Sequence, residues 1–477
     1  MLEEGKTLWR SGLMDGGLVT LIPAHKIPAK CSPNAANFDV TAVGMLRKRL
    51  GYERFTGSAK TTPTGTKVSG LYATTLSSTV YVLAAEGTVL HNITAGDWNT
   101  TIGGVTITTD TYVCMKTFNN LVLIVNPGGG PYKWTGSGNA TALGGSPPAN
   151  AIGVEIHRNR AWMWNGTSTL YWSALGNPED WTSADNAGSM TINTGDGGVI
   201  NGMVSCGDFA LISKATPASG GTEGALYILY GSSPFDFMVH RVANVAAVSP
   251  YAMISYDDWG IVPTSRGIYG IQGRRMFKLS EAIQPTYDAI SDKSTLATGR
   301  YKNTVRFSHK GAESSSYNDR ELILNVERGV WGYNHKTISL YTNHPNGNLL
   351  IGSSTPTILV WTDETGNSDD GSAINFYWET PDLVFDIPEA GKRLSTSHLH
   401  CQNTGDHTIT LTHSINGTDT GYYETMNVQS EGPVKRFTHL NKTGKIHRLR
   451  LTNNTSTDRV VIYDLEVFAQ VFEPGIG

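Results

Sequence analysis

Apolar hairpins recur along most of the chain. In each copy an apolar run is followed by a turn rich in Gly, Asn or Ser, and then by a second apolar run that contains an aromatic residue. This pattern is typical of paired antiparallel strands. The copies start at positions 80, 121, 160, 209, 259, 322 and 349. Their intervals scatter around the roughly 40 to 50 residues that one four-stranded blade of a β-propeller occupies.

The repetition predicts a β-propeller over residues 61–365. One hairpin cannot bury both of its faces, whereas radial repetition stacks sheet on sheet and leaves only short edges exposed. The runs are mostly apolar and do not alternate strictly, as expected where neighbouring blades cover both faces. We expect about five to seven blades. The alternative architecture is a string of β-sandwich domains.

The pattern changes after Trp361. Residues 363–372 are polar and rich in turn formers, which indicates a linker or a long loop. Beyond them the strands alternate more cleanly, and Asn416-Gly417 is a strong hairpin turn. One strand places four residues on a single face, namely Ile409, Leu411, His413 and Ile415. The sequence therefore predicts a C-terminal antiparallel β-sandwich over residues 366–477.

Residues 1–60 form a third kind of segment. Gly16-Gly17, Pro23, Pro28 and Pro33 divide it into short extended pieces that cannot pack alone. We predict an extended N-terminal arm that lies on the propeller or on a neighbouring subunit. The whole chain is thus predicted to be all-β, a β-propeller with an extended N-terminal arm and a C-terminal antiparallel β-sandwich domain.

Composition agrees with this fold and disfavours a protein that grips nucleic acid. Charged residues make up 16% of the 477 residues, Gly reaches 53, and the net charge is -4. A protein that wraps DNA through its phosphates should carry a basic stripe, and the sequence displays none. The densest positive run is Arg47-Lys48-Arg49. We expect it to form a solvated or interface turn and not a nucleic-acid patch.

Cysteine usage and the N-terminal segment bear on where the protein folds. Cys31, Cys114, Cys206 and Cys401 are isolated from one another, without a CxxC pair. Residues 1–10 begin with acidic residues and contain no apolar run, so no signal peptide is expected. No stretch reaches the roughly eighteen apolar residues of a membrane-spanning helix. We expect a protein that is made and folds in a reducing cytoplasm.

The best candidate for metal binding is the triplet His398, His400 and Cys401. On a regular strand the two histidines share a face and the cysteine points away, so the three cannot chelate together. His407 and His413 are further candidates, but they show no recognisable ligand spacing. We therefore predict no metal and no cofactor.

Paired carboxylates are the signature of a glycosidase, an activity found on some propellers. The adjacent pairs Glu179-Asp180, Asp257-Asp258 and Asp369-Asp370 point to opposite faces in a strand and are ordinary in turns. The chain has no serine elbow and no phosphate-binding P-loop motif. The sequence thus indicates a protein that is not an enzyme, with no catalytic and no cofactor-binding residues.

A cluster of aromatic residues offers a second interpretation. Trp162, Trp164, Tyr171 and Trp172 could stack on sugars. Packing between blades is the interpretation that we favour. The alternative is that the propeller presents these rings to a glycan.

Two stretches carry a resemblance to a known family. The first runs over 15–18, 27–40 and 44–52, and resembles a "gG-l... SP--a-N-d... G-l-kRpG" opening of phage tail proteins, with Leu50 where Pro is usual. The second begins with YWSALGNPEDW at 171–181 and continues over 195–203, 247–250 and 266–269. In this order the segments are similar to those of podophage tail nozzle and packaged-DNA stabilisation proteins, the β-propeller tail hub proteins of short-tailed bacteriophages.

The resemblance implies a structural virion protein. In that family six copies form a ring below the portal and adaptor proteins. The ring continues the DNA-ejection channel and helps to retain the packaged genome, and tail fibres, spikes or a needle attach around it. The resemblance also implies localisation in the virion tail after assembly in the bacterial host cytoplasm. The alternative function is a receptor- or glycan-binding propeller protein of the phage tail.

Overall fold

The computed structural model describes residues 6–216, 223–311, 316–355, 357–403, 405–406, 408–429, 433–438 and 442–472. Residues 1–5, at the start of the segment inspected for a signal peptide, and His407 lie outside these ranges. Almost all regular structure in the described ranges is β. Helical turns there are short, at Ala24–Lys26, Glu281–Ile283 and Gln284–Asp288. The predicted all-β fold class is confirmed.

Seven four-stranded antiparallel sheets form a propeller within the described ranges. We number these sheets blades 1 to 7 in chain order, and give their strands from the inside outward. Blades 1 to 4 consist of Val68–Leu76, Thr79–Glu86, Val89–Asn92 and Thr100–Ile102; Cys114–Phe118, Leu121–Asn126, Gly129–Trp134 and Thr141–Ala142; Gly153–His157, Arg160–Trp164, Thr169–Trp172 and Gly188–Thr191; and Val199–Cys206, Phe209–Ala215, Gly224–Tyr230 and Met238–Ala243. Blades 5 to 7 consist of Ile254–Tyr256, Trp259–Thr264, Gly267–Gln272 and Arg275–Lys278; Ala297–Tyr301, Thr304–His309, Arg320–Asn325 and Val330–His335; and Ile338–Asn343, Leu349–Ser353, Val360–Asp363 and Tyr52–Arg54.

The outermost strand of blade 7 comes from the N-terminal arm. Tyr52–Arg54 pairs antiparallel with Val360–Asp363, the third strand of the blade. The rings of Tyr52 and Trp361 also pack together, with centroids 5.0 Å apart. The inner strands of blades 7 and 1 are in contact, so the disc is closed. One blade therefore joins the beginning of the chain to the end of the propeller.

Blade 6 explains the irregular spacing of the hairpins in the sequence. In the other blades the recurring hairpin is the second and third strand, but the copy at position 322 is the third and fourth strand of blade 6. The true second strand, Thr304–His309, is buried throughout and yet carries Arg306, Ser308 and His309. These interior polar residues interrupt the apolar run, and the sequence pattern missed the strand for that reason.

The C-terminal region is a sandwich of two five-stranded sheets. Sheet A has the order Lys6–Arg10, Val461–Phe472, Gly391–Cys401 and Val434–Thr438, and Leu46–Arg47 also pairs with Val461–Phe472. Sheet B has the order Thr418–Asn427, Thr408–Ile415, His447–Thr455, Ile374–Glu379 and Ala35–Ala36. Between the sheets lie fully buried side chains such as Leu399, Leu411, Phe437, Leu451 and Leu465.

The arm packs on both domains of its own chain. Its short strands enter sheet A, sheet B and blade 7, and Gly17–Leu18 forms a parallel pair with Cys31–Ser32. Gly17 has φ +74°, and a Cβ there would lie 2.5 Å from the carbonyl oxygen of Trp331 in blade 6. Only glycine allows this approach. One apolar core runs through arm, propeller and sandwich, and in it Phe38 meets Trp378 edge to face at 5.5 Å.

Candidate functional site: the arm junction and the propeller centre

The basic run Arg47-Lys48-Arg49 lies inside the junction between arm, propeller and sandwich. Arg47 forms an ion pair with Asp39 at 2.8 Å, and Arg49 forms one with Asp369 at 2.6 Å. Lys48 is fully buried and donates from Nζ to the Asn453 side chain at 3.1 Å. The run Arg47-Lys48-Arg49 is therefore not a solvated turn. It forms an interface between parts of the same chain.

The charged form of Lys48 is disfavoured by its surroundings. Burial, with a smaller contribution from neighbouring Arg49, lowers the pKa of Lys48 to about 8. Its second acceptor is the carbonyl oxygen of Thr455, at 2.7 Å. Two acceptors from sheet B thus hold a desolvated ammonium of the arm. The arrangement ties residue 48 to a strand of the C-terminal domain.

A second charged network lies between blades 6 and 7. Arg306 pairs with Asp363 at 2.6 Å and also contacts Glu364. Lys336 pairs with the other oxygen of Asp363, also at 2.6 Å. Arg306, Lys336 and Asp363 are almost completely buried. Removing one partner from such a pair leaves an uncompensated charge in the interior.

The charges of this network support one another. Burial opposes ionisation of Asp363, but Lys336 and Arg306 outweigh it and hold the pKa of that carboxyl below its usual value. Burial likewise opposes protonation of Arg306, and the carboxylates Glu321 and Asp363 outweigh it and raise the pKa of the guanidinium. Both shifts favour the charged forms of Arg306 and Asp363. The network links blade 6 to blade 7 through buried ion pairs.

Further ion pairs attach the arm and the linker. Arg328 of blade 6 pairs with Asp15 of the arm at 2.8 Å. Arg459 reaches Asp39 at 2.7 Å, and Arg54 reaches Asp370 at 2.8 Å. The polar stretch predicted to be a linker or long loop is thus anchored to the arm at its aspartates. Arm, linker, propeller and sandwich form one body.

Two tyrosines meet in the middle of the propeller. Tyr112 precedes the inner strand of blade 2, Tyr251 precedes that of blade 5, and their ring centroids are 4.1 Å apart at 74°. Both line a cavity of about 260 Å³ to which every blade contributes. The contributions from blades 1 to 7 include Leu71, Cys114, Val154, Met203, Ile254, Thr298 and Leu340. This cavity is therefore the propeller centre.

Hydrogen bonds and an ion pair link the blades around a narrow centre. Thr298 of blade 6 donates from its amide and its hydroxyl to the carbonyl oxygen of Tyr251, at 3.1 Å and 2.8 Å. Lys116 of blade 2 pairs with Glu155 of blade 3 at 2.8 Å. The Tyr112 and Tyr251 rings occupy the middle of the disc, and the space beside them is about 260 Å³. A DNA duplex, whose major groove alone is about 12 Å wide, does not fit through that space.

The aromatic cluster noted in the sequence is part of the core. Trp162 is 0% exposed, and Trp164 and Trp172 are 5% and 6% exposed. The Trp162 and Trp172 rings lie 5.4 Å apart, and Phe237 packs against both. Only Tyr171 is half-buried. These rings pack blades together, and the glycan-stacking alternative does not apply to the tryptophans.

Most carboxylates of the three candidate pairs have partners of their own. Glu179 is held by Lys133 at 2.5 Å, and the hydrogen bond from that ammonium lowers the pKa of the carboxyl. Asp180 accepts a hydrogen bond from the Ser183 hydroxyl. Asp257 pairs with Arg300 at 2.7 Å. Asp369 and Asp370 serve the junction described above.

The candidate metal histidines lie at two separate places in the sandwich. His398 and His400 each lie 3.7 Å from the carboxylate of Glu466. His413 meets His447 at 2.9 Å in the sandwich interior. In the described part of the chain, no group of three or more His, Cys, Asp or Glu could hold a metal ion.

The four cysteines are buried free thiols. Burial raises the pKa of Cys206 to about 12, and it raises the pKa of Cys114 as well. No helix among the described residues has the length and apolarity needed to cross a membrane.

Comparison with known proteins adds little to the geometry. No family model and no curated protein matches the chain. Among solved structures it is similar to the WD40 β-propeller domain of Doa1, with TM-score 0.41 and 12% identity, over 66% of this chain and 98% of that one. It is also similar to the computationally designed Ika8 protein, with TM-score 0.39 and 12% identity, over 69% of this chain and 96% of that one.

Sequence reasoning missed the residues that define the junction and the centre. Tyr112 and Tyr251 each precede an inner strand, and nothing local distinguishes them from other tyrosines near turns. Arg306 sits in a strand that the apolar pattern did not detect. A charged residue flanked by Val305 and Phe307 is the one signal in the sequence that points to it.

Proposed function

We propose that this chain is a non-enzymatic structural protein of a short-tailed bacteriophage, a nozzle subunit of the virion tail. Six copies form a ring below the portal and adaptor proteins, and the ring continues the channel through which the genome is ejected. Support comes from the ordered resemblance of residues 15–52 and 171–269 to that family. The order of arm, propeller and sandwich also fits.

The observation that carries the proposal is the buried junction between arm, propeller and sandwich. A ring through which DNA passes under pressure needs subunits that transmit load without hinging. Arg49 joins the arm to Asp369 after the propeller, and Lys48 joins the arm to the sandwich. Arg306 joins blades 6 and 7 within the propeller. Few catalytic or binding tasks require such a joint, whereas a structural subunit does.

The closed propeller centre supports a channel that lies between copies. Tyr112 and Tyr251 occupy the middle of the disc, so the DNA path runs between copies and not through any one propeller. A chain with net charge -4 and no basic stripe offers little grip on phosphates. Weak binding to phosphates suits a conduit that must release DNA. The ring retains the genome by closing its channel.

Ring closure needs contacts between unlike surfaces. The short strands of the arm are engaged within their own chain, so the contacts between copies fall on surfaces that remain exposed. Large apolar side chains are exposed at several places, two of which are Leu13 and Val43 on the arm, and Phe235 and Met238 at the edge of blade 4. Such exposed apolar groups are typical of interaction surfaces. Fibre, spike or needle proteins would attach to the remaining periphery.

Native mass spectrometry of the purified chain tests the proposal. We expect a six-copy species that dissociates in the variant Phe235→Asp, which places a charge in the contact between copies. The matched control is Leu175→Asp, an exposed leucine of blade 3 that lies outside the two places named above. A chain that is monomeric at all concentrations, alone and with its adaptor, would contradict the proposal.

A further inference from the structure

The outer face of sheet B is polar throughout its middle. Thr410, Thr412 and Ser414 point outward from the strand Thr408–Ile415, while Leu411 between them is fully buried. The facing strand His447–Thr455 repeats the alternation, with Arg448 and Arg450 outward. Such alternation of inward and outward residues is ordinary in a β-sandwich. Here the outward polar residues of neighbouring strands also form an array, in which they lie opposite one another.

One row of that array crosses four strands. Tyr423 lies opposite Thr412, Thr412 opposite Arg450, and Arg450 opposite Glu379. Directly opposed residues in a sheet have side chains on the same face. The row therefore presents a phenol ring, a hydroxyl, a guanidinium and a carboxylate side by side.

A groove of about 420 Å³ runs along this face. Its floor is rigid, because Arg448 binds Asp382 at 2.6 Å and both Arg448 and Arg450 approach Glu379, at 3.6 Å and 3.5 Å. The Arg450 guanidinium also lies over the Tyr377 ring, 4.1 Å from its centroid. The donors and acceptors of the groove are thus fixed before any ligand arrives, which lowers the entropic cost of binding.

The charges of the groove limit the ligand class. Three carboxylates, of Glu379, Asp382 and Asp419, face two guanidiniums, of Arg448 and Arg450. A polyanion would be repelled by the excess carboxylate. A neutral ligand rich in hydroxyl groups fits, because each hydroxyl both donates and accepts, and the paired ions offer both kinds of partner.

Tyr423 supplies the apolar half of the site. It is 70% exposed and lies directly opposite Thr412, which lines the groove. A large exposed aromatic ring without a covering residue commonly marks a binding surface. Flat aromatic rings pack on the apolar face of a sugar ring, while polar groups beside them bind its hydroxyls.

We propose that this groove binds neutral oligosaccharide, with Tyr423 stacking on one sugar ring and Arg450 and Glu379 binding its hydroxyls. The site lies wholly on the C-terminal sandwich. It uses none of the junction residues and none of the exposed residues proposed for contacts between copies. Its failure would therefore leave the ring proposal untouched, and failure of the ring would leave the groove.

Affinity electrophoresis tests the site. The full-length chain is run in native gels that contain hydroxyethylcellulose, glucomannan or dextran, with alginate as an anionic contrast. We expect retardation by at least one neutral polysaccharide, and a roughly tenfold weaker interaction in Tyr423→Ala. The matched control is Tyr463→Ala, a 43% exposed tyrosine on sheet A, which should bind like the parent.

Several results would overturn the proposal. One is the absence of retardation by all three neutral polysaccharides. Another is retardation by alginate alone, which would indicate a polyanion site elsewhere. A third is an equal loss of binding in Tyr423→Ala and Tyr463→Ala.

Discussion

Tyr112 and Tyr251 meet edge to face in the middle of the propeller, with ring centroids 4.1 Å apart. They come from blades 2 and 5, which are not neighbours, so the contact spans the disc. It joins two blades that are not adjacent in the ring of sheets. The two rings also leave no room for a macromolecule in the propeller centre.

This contact should be energetically coupled. We expect the variants Tyr112→Ala and Tyr251→Ala each to lower the free energy of unfolding by about 2–4 kcal/mol. In the double variant the loss should fall short of the sum by about 1 kcal/mol, because the second truncation removes a partner already gone. Urea unfolding of the four proteins measures the coupling. Simple additivity would show that the rings do not interact.

The charges between blades 6 and 7 should be costly to break. Arg306→Met leaves Asp363 buried beside Lys336 alone, so we expect a loss of about 3–5 kcal/mol in the free energy of unfolding. Arg158→Met is the matched control, because Arg158 pairs on the surface with Asp208, whose side chain is 92% exposed. That change should cost at most about 1 kcal/mol. Equal effects in chemical denaturation would contradict the structural role of Arg306.

Buried histidines should make the protein sensitive to mild acid. Burial, helped by the nearby Arg158, lowers the pKa of His157 to about 4. The unfolded chain takes up a proton near pH 6.5, whereas the folded chain does so only near pH 4. Stability is therefore complete above pH 6.5 and is lost as the pH falls towards 4, by about 2 kcal/mol per such histidine between pH 7.5 and 5.

His157→Gln tests this dependence. The variant should be less stable than the parent at pH 7.5 and yet show a shallower loss down to pH 5, measured by urea titration. Ser205→Ala removes the hydroxyl that lies 2.8 Å from Nδ1 of His157 but keeps the imidazole, so its pH dependence should match the parent's. An unchanged slope in His157→Gln would rule out a contribution from this histidine.

The four thiols should be inert in the folded protein. All four cysteines are buried, and burial raises the pKa of Cys206 to about 12, so the reactive thiolate is scarce at pH 8. We expect Ellman's reagent to label none of them within minutes before denaturation, and all four afterwards. Ser137→Cys, at an exposed turn, is the positive control. Rapid labelling of the native parent would show that a thiol is accessible.

Much of the fold follows from local chemistry. Apolar runs with aromatic second strands, such as 121–134 and 161–172, predicted paired strands, and they form the second and third strands of blades 2 and 3. Asn416-Gly417 marked a hairpin whose Asn416 has φ +51°, as such turns require. These features could be predicted because each depends on residues close together in the chain.

Contacts between distant parts of the chain could not be predicted in the same way. Lys48 lies in a run that looks like a solvated turn, and its partner Asn453 is 405 positions away. Tyr52–Arg54 pairs with a strand at 360–363, and no local pattern announces that closing strand. Tyr423, in the same way, lies in a strand whose outward face becomes a groove only when Arg450 and Glu379 are brought beside it. Long-range pairing decides these sites.

The measurement that tests the central claim most directly is an electron cryomicroscopy reconstruction of the assembled chain with a short DNA duplex. The account predicts a closed ring of six rigid subunits, a passage for the duplex between them, and side-chain density of Tyr112 and Tyr251 filling each propeller centre. A duplex threaded through a propeller, or subunits in which the sandwich hinges freely against the disc, would contradict it.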